Sequence, residues 1–366
     1  MSTHVIPLAG YDVRVAPGLV GALAEHVEAA APAHRYVVIT DFAVAAFHGA
    51  AARRGLESLA PEWIEIPPGE GEKTRERWAW LTDRLLALGC GRDTTLVALG
   101  GGVIGDLVGF TAATYMRGIP FVQVPTTLLA MVDASVGGKT AVDVPAGKNL
   151  VGAFHPPAVV LADPAVLRTL PAGERRAGLA EVLKHGVIAD AAYLARTVSA
   201  LPVLLDPMLS DTPPVVDAIV RSIEIKAEVV TADEREHGRR KTLNFGHTIG
   251  HAVELASDFR LLHGEAVAIG MSLESSLAER LALAEPGTAA AVDAALTRAD
   301  LPRDIPSGIG ADQVIAATRT DKKARHGAAE YALPAGVGRM AGAERGWGIA
   351  VPEAEVRALL AERCPA

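Results

Sequence analysis

Thr94-Thr95-Leu96-Val97-Ala98-Leu99-Gly100-Gly101-Gly102-Val103-Ile104-Gly105-Asp106 is the stretch on which the fold turns. A strand-forming run enters three glycines, and the residues beyond them open a helix. Glycines at that junction admit close backbone approach, and the helix behind them supplies free N–H groups and the positive end of its dipole. The spacing Gly100-x-Gly102-x-x-Gly105 therefore suits a nucleotide pyrophosphate. The ordinary dinucleotide fingerprint also wants an acid about 20 residues further on. Here that region reads Phe121-Val122-Gln123-Val124-Pro125, and the glycines follow the third expected strand rather than the first. The stretch thus favours a phosphate site without the ordinary topology, with a plain strand-to-helix turn as the alternative.

Working outward, short apolar runs recur at Tyr36-Val37-Val38-Ile39, Trp63-Ile64-Glu65-Ile66, Phe121-Val122-Gln123-Val124 and Ala158-Val159-Val160-Leu161. Helix-length segments separate them, which is the pattern of βαβ units and a largely parallel sheet. Beyond about residue 172 the period changes to 3.6, with helices expected at 173–199, 214–234, 242–256, 264–284 and 287–299. The proline-rich segment 202–214 reads as a loop between two of them. The expected architecture is an α/β, Rossmann-like nucleotide-binding domain over 1–172 and an all-α metal-binding domain over 173–366. A ligand cleft is expected at their junction.

The 366 residues are 50% apolar and 21% charged, which is globular composition rather than disorder. Aromatic residues make only 4%, and 35 Lys and Arg face 43 Asp and Glu, for a net charge of −8. Nucleic acid and anionic membrane are therefore not expected as partners. Cys90 and Cys364 form no CxxC pair, and the N-terminus has no basic-then-apolar leader. Together these features read as a cytosolic protein.

Candidate chemistry lies in the helical half. His247 and His251 are spaced i, i+4, which puts both imidazoles on one helix face about 6 Å apart. His263 opens the next expected helix. Three histidines so placed suit a divalent metal, while spacing alone leaves open which of them bind. No glutamate stands in the HExxH position, so the zincin protease reading fails. Glu181 lies on an otherwise apolar helical stretch with Lys184 three residues on. A carboxylate there needs a metal or a partner, and a surface ion pair is the simpler alternative. Gly137-Gly138-Lys139-Thr140 resembles the end of a P-loop, but Asp133 occupies the position of the required glycine, leaving Lys139 as an anion contact.

Read together, Gly100–Asp106, Tyr115-Met116-Arg117-Gly118, Val124–Ala130, Val132–Thr140 and Gly147-Lys148-Asn149 resemble the 3-dehydroquinate synthase family of the sugar-phosphate cyclase superfamily. Gly178–Lys184, Lys226–Val230, Leu243–Thr248, His263–Val267 and Asp321-Lys322-Lys323 continue the resemblance across about residues 10–350. It implies a homodimer that binds NAD and Zn²⁺ or Co²⁺. The implied metal ligands are Glu181, His247 and His263, with His251 on the substrate side. NAD contacts are implied at Asp41, Glu70, Lys73, Gly101, Gly102, Val103, Ile104, Gly105, Asp106, Thr126, Thr127, Lys139, Lys148 and Thr169. The family often carries Asn two residues beyond the counterpart of Asp41, where this chain has Ala43, which weakens a ribose contact.

The implied reaction converts 3-deoxy-D-arabino-heptulosonate 7-phosphate to 3-dehydroquinate and phosphate, with transient oxidation at C5 and no net redox change. Substrate phosphate and carboxylate call for charge-assisted donors. By resemblance these are Arg117, Lys139, Asn149, Lys184, Lys226, Arg240, Asn244, His251 and one of Lys322 and Lys323. Asp106, Asp133 and Glu236 would orient substrate hydroxyls and the lysines. The nearest alternatives are a cyclase that makes the amino analogue of dehydroquinate and a metal-dependent polyol dehydrogenase of the glycerol type.

Overall fold

The structure, a computed structural model, describes residues 3–320 and 329–364. Lys322 and Lys323 lie outside the described residues. The chain divides into two compact units, Met1–Leu170 with Asp206–Ala227, and Pro171–Leu205 with Glu228–Ala366. The expected boundary at residue 172 differs in one respect, because segment 206–227 groups with the first unit.

The first unit contains β1 (His4–Leu8), β2 (Tyr11–Val15), α1 (Leu23–Ala30), β3 (Arg35–Asp41), α2 (Phe42–Gly55), β4 (Glu62–Ile66), α3 (Arg75–Ala87), β5 (Thr94–Gly100), α4 (Gly102–Thr114), β6 (Phe121–Pro125), β7 (Lys139–Val144), β8 (Gly147–Phe154) and β9 (Val159–Ala162). Seven strands form one sheet in the order β1-β2-β9-β6-β5-β3-β4, parallel except for the β1–β2 hairpin. Central strands β5, β6 and β9 are buried at every residue, whereas edge strand β4 alternates. Parallel strands covered on both faces read as unbroken apolar runs, which is why they were legible in the sequence. The chain passes from β3 outward to β4 and then back past β3 to β5. Loops after β3 and β5 therefore diverge at a switch point, where open α/β sheets bind ligands. The glycine loop follows the fifth strand of the chain, because the β1–β2 hairpin precedes the strands expected from sequence.

In the second unit, α5 (Ala172–Ala189) and α6 (Ala191–Leu205) replace the single helix expected over 173–199. Asp190 adopts extended backbone between them, and its carboxylate accepts the N–H of Tyr193, capping α6. Helix α6 then runs through Pro202, which was expected in a loop. Buried Leu201 and Leu204 flank that proline in the last turn and hold it against the core. Helix α7 (Pro213–Ala232), which belongs to the first unit as far as Ala227, precedes a 3₁₀ turn at Arg239–Asn244, so 242–256 is α-helical only as α8 (His247–Ala256). Then come α9 (His263–Arg280), α10 (Thr288–Arg298), α11 (Ala311–Thr320) and α12 (Glu353–Arg363). Among the described residues no helix is long and apolar enough to cross a membrane.

Candidate active site

In the second unit, α5, α8 and α9 bring Glu181, Lys184, His247, His251 and His263 together. Glycine makes this approach possible. A Cβ on Gly270 of α9 would stand 1.9 Å from the Gly246 carbonyl oxygen at the start of α8, and one on Gly264 would stand 2.0 Å from the Ala177 carbonyl oxygen of α5. No side chain fits at either distance. The ligand nitrogens of His247, His251 and His263 all lie within 4.8 Å of one another, so geometry alone admits any pair of them. Glu181 Oε1 stands 3.5 Å from His247 Nε2 and 3.7 Å from His263 Nε2.

Glu181 is fully buried, its Oε1 accepts no hydrogen bond, and the Lys184 ammonium lies against Oε2. The ion pair is thus interior, not at the surface. Burial opposes the charge on Glu181, but Lys184, then His247 and His263, outweigh it and hold the carboxyl well below its usual range. Burial likewise opposes the charge on His263, yet its contacts with Glu181 and Glu254 push it up to about 9. The cluster therefore attracts positive charge. Around a tetrahedral centre with metal–nitrogen bonds of about 2.0–2.1 Å, ligand atoms stand about 3.4 Å apart. The two Glu181–histidine distances are close to that edge, and the histidine nitrogens lie within 4.8 Å of each other, so these residues fit a divalent cation. His247 Nδ1 donates to the Phe245 carbonyl at 3.1 Å, which turns Nε2 toward Glu181.

Loop 233–244 of the same unit carries three further candidates. Asp233 accepts the N–H groups of His237 (3.0 Å), Gly238 (2.7 Å) and Arg240 (3.0 Å). Partial burial opposes its charge, but these three donors outweigh that and lower its pKa. Glu236 sits in left-handed backbone, φ 61°, and accepts from Asn244 Nδ2 at 2.6 Å. Arg240 is buried and donates to the Glu234 carbonyl at 2.5 Å. A cavity of about 280 Å³ lined by Glu236, Lys241, Asn244 and Glu330 opens beside this loop.

In the first unit, the carboxyl edge of the sheet gathers the glycine loop. Helix α4 begins at Gly102 after Gly101, which gives no side-chain cap, so its first N–H groups are available to an anion. Val103, Ile104, Gly105 and Asp106 form its first turns, and Thr126 donates its N–H to the Gly100 carbonyl at 2.9 Å. Thr127 Oγ1 accepts the Ala130 N–H. Lys73 is buried and donates to Asp106 (2.5 Å) and to Asn149 Oδ1 (2.6 Å). Burial pushes the Asp106 carboxyl up while Lys73 pulls it down, and the net direction is up. Asn149 holds φ 55° because Asp143 accepts its N–H at 2.8 Å. Glu70 and Lys148 stand 3.9 Å apart in this group.

The remaining candidates of this unit make contacts of their own, and Lys226 also acts on Asp106. Lys226 donates to the Asp133 carboxylate at 2.7 Å and to its carbonyl at 2.5 Å. Lys139 opens β7 and is exposed. Met116 and Arg117 are consecutive left-handed residues, φ 51° and 69°, a local strain of the kind kept at functional positions. Asp41 is the N-cap of α2 and accepts the Val44 N–H, and Thr169 bonds His48 Nε2 at 2.8 Å.

Sequence reasoning missed Asp143, Asp233, Glu254 and Glu274. Glu254 stands 3.5 Å from His263 Nδ1, on the helix that carries His247 and His251. Its signal was an acid three residues beyond His251, on the same helix face.

The family model for the 3-dehydroquinate synthase N-terminal part matches residues 63–177, and that for the C-terminal part matches 178–324. The chain is 47% identical to a 3-dehydroquinate synthase of Caulobacter vibrioides over 337 residues, 90% of each chain. A 2-deoxy-scyllo-inosose synthase structure with carbaglucose-6-phosphate, NAD⁺ and Co²⁺ is 29% identical, with TM-score 0.85 over 99% of this chain and 100% of that one. A 2-epi-5-epi-valiolone synthase from Streptomyces hygroscopicus subsp. jinggangensis with NAD⁺ and Zn²⁺ is also 29% identical, with TM-score 0.84 and the same coverage.

Proposed function

This chain belongs to the 3-dehydroquinate synthase family, and from that premise we propose that it converts 3-deoxy-D-arabino-heptulosonate 7-phosphate to 3-dehydroquinate and phosphate. The observation that carries the proposal is the buried Glu181 carboxylate held against His247 and His263 with Lys184 beside it. A polyol dehydrogenase acting on an uncharged substrate has no need of so many placed cations. When bound, NAD supplies a temporary hydride acceptor and the divalent metal, Zn²⁺ or Co²⁺, a Lewis acid that eases loss of a hydroxyl proton.

The chain's own residues supply the rest. Glu181, His247 and His263 would hold the metal. The α4 N-terminus, Thr126 and Thr127 would take the cofactor pyrophosphate, with Asp41, Glu70, Lys148 and Thr169 around it. The Lys73–Asp106–Asn149 network fixes the loops that surround that group. Arg117, Lys139, Lys184, Lys226, Arg240 and Asn244 are the donors for the substrate phosphate and carboxylate, and Asp133 and Glu236 keep Lys226 and Asn244 aimed. His251 is placed to move a proton, a duty the departing phosphate is also able to perform. The acidic balance of the chain supports a small-molecule substrate rather than nucleic acid or membrane. A cytosolic homodimer completes the proposal.

Purified protein given NAD⁺, Co²⁺ and the heptulosonate phosphate is expected to yield a product that 3-dehydroquinate dehydratase consumes. A product that the dehydratase leaves untouched would move the reading to another cyclase. A second expectation concerns Asp233. Asp233→Ala removes an acceptor from three N–H groups, each worth about 1 kcal/mol net, and loosens the loop of Glu236 and Arg240. Steady-state kinetics should show KM for the heptulosonate phosphate raised roughly tenfold or more, with kcat changed less. An unchanged KM would remove this loop from the substrate site. Because the Asp233 pKa is lowered in the fold, its stabilisation is present above about pH 3.9 and is lost as pH falls through the lowered value.

A further inference from the structure

We propose that Glu274 is a positioning residue for the metal ligand His247, acting through the first turn of α8. Glu274 lies on α9, eleven residues beyond His263, and is fully buried. Its Oε2 accepts the Gly246 N–H at 2.6 Å and its Oε1 the Ile249 N–H at 3.0 Å. These amides bracket His247. The cap residue of α8, Gly246, has no side chain to satisfy the first turn, and φ 80° carries the chain sharply into the helix. A carboxylate from the neighbouring helix therefore does what an N-cap side chain ordinarily does, and its charge suits the positive end of the helix dipole.

The placement has a consequence for the site. Helix α9 supplies His263 at its first residue and, three turns on, the group that sets where α8 begins. The Gly270–Gly246 contact lies between these two points, so the crossing has no slack. Both histidine ligands are thereby referred to one helix, and the separation of their nitrogens is fixed before any cation arrives. A buried charge is costly unless its oxygens are satisfied, and here main-chain N–H groups beside a ligand satisfy them. Glu279 provides a matched control on the same helix. Its Oε1 accepts the Ala289 N–H at 2.8 Å, capping α10 away from the histidines.

This inference rests on the proposed metal set, and the test separates the two. Co²⁺ binding to metal-free full-length protein is measured by titration and by the visible spectrum for the wild type, Glu274→Gln and Glu279→Gln. Hydrogen exchange of residues 245–250 is followed in the metal-free proteins. Glu274→Gln keeps the volume but sets an amide N–H₂ against one of the two main-chain donors. We expect its Co²⁺ affinity to fall 10–100-fold, with an altered spectrum and faster exchange at Gly246 and Ile249. Glu279→Gln should lose thermal stability while keeping wild-type affinity and spectrum. If Glu274→Gln lowers Tm but keeps the wild-type affinity and spectrum, Glu274 is a structural cap only and the inference is overturned. If the wild type itself takes up no Co²⁺, the metal set fails and the inference with it. Glu274→Ala serves as a second variant with the same readouts, expected to exceed Glu274→Gln in each.

Discussion

Glu181→Gln should leave the protein without stoichiometric metal and lower turnover by roughly a thousandfold or more. The substitution conserves shape, so the expected loss follows from charge. Among the described residues, Glu181 is the carboxylate set between His247 Nε2 and His263 Nε2, and it is held ionised by Lys184 and those histidines despite full burial. On the proposed ligand set, a neutral amide gives up the anionic ligand, and with it the Lewis-acid contribution of several kcal/mol to the barrier. The change also takes the Glu181 charge away from Lys184, which is 1% exposed. Breaking a buried pair from one side costs about 3–5 kcal/mol. Elemental analysis after dialysis, together with thermal unfolding, checks both parts. Full metal occupancy in Glu181→Gln would show that the three histidines suffice and that Glu181 is not a ligand.

Lys73→Met is the counterpart in the first unit. Lys73 joins the segment after β4 to α4 through Asp106 and to the start of β8 through Asn149. Methionine keeps the apolar stem and removes both hydrogen bonds together with the charge. Asp106 then loses its largest counter-charge, so a loss of about 3–5 kcal/mol of stability is expected. The sign of the pH dependence follows from Asp106. Burial already raises its folded pKa, and removal of Lys73 raises it further. A raised carboxyl favours the fold below its unfolded value and disfavours it once pH passes the folded value. The deficit of Lys73→Met should therefore be largest at neutral pH and shrink as pH falls toward about 3.9. Calorimetry across that range measures it. A deficit independent of pH would mean that packing, not charge, is what Lys73 contributes. NAD⁺ affinity should fall in the same variant, since the network it ties surrounds the glycine loop.

The sheet was legible because β5, β6 and β9 are covered on both faces and so carry near-continuous apolar runs, interrupted only by Thr94, Thr95 and Gln123. The hairpins β1–β2 and β7–β8 were not, because their alternating and glycine-broken residues carry a weaker signal. Helix ends failed where a local cap or core packing sets them. Asp190 divides a continuous periodic stretch by capping α6, and Pro202 stays helical because buried leucines flank it. In the site, the i, i+4 spacing of His247 and His251 pointed to a metal and left open which of the histidines would bind it. The carboxylate that lies between His247 and His263 comes from α5, which no local spacing reveals. Resemblance supplied that third residue. Glu274 and Asp233 were invisible for a related reason: each acts on main-chain N–H groups, and a main-chain donor leaves no residue type in the sequence to be matched.

The central claim is a phosphate-eliminating cyclisation in which the nicotinamide is used and restored. Phosphate and NADH measured together, during turnover of the heptulosonate phosphate by the Co²⁺- and NAD⁺-supplemented enzyme, test it most directly. The expected result is one phosphate released for each substrate consumed, with no net NADH. NADH accumulating with glycerol, and no phosphate released from the heptulosonate phosphate, would contradict it.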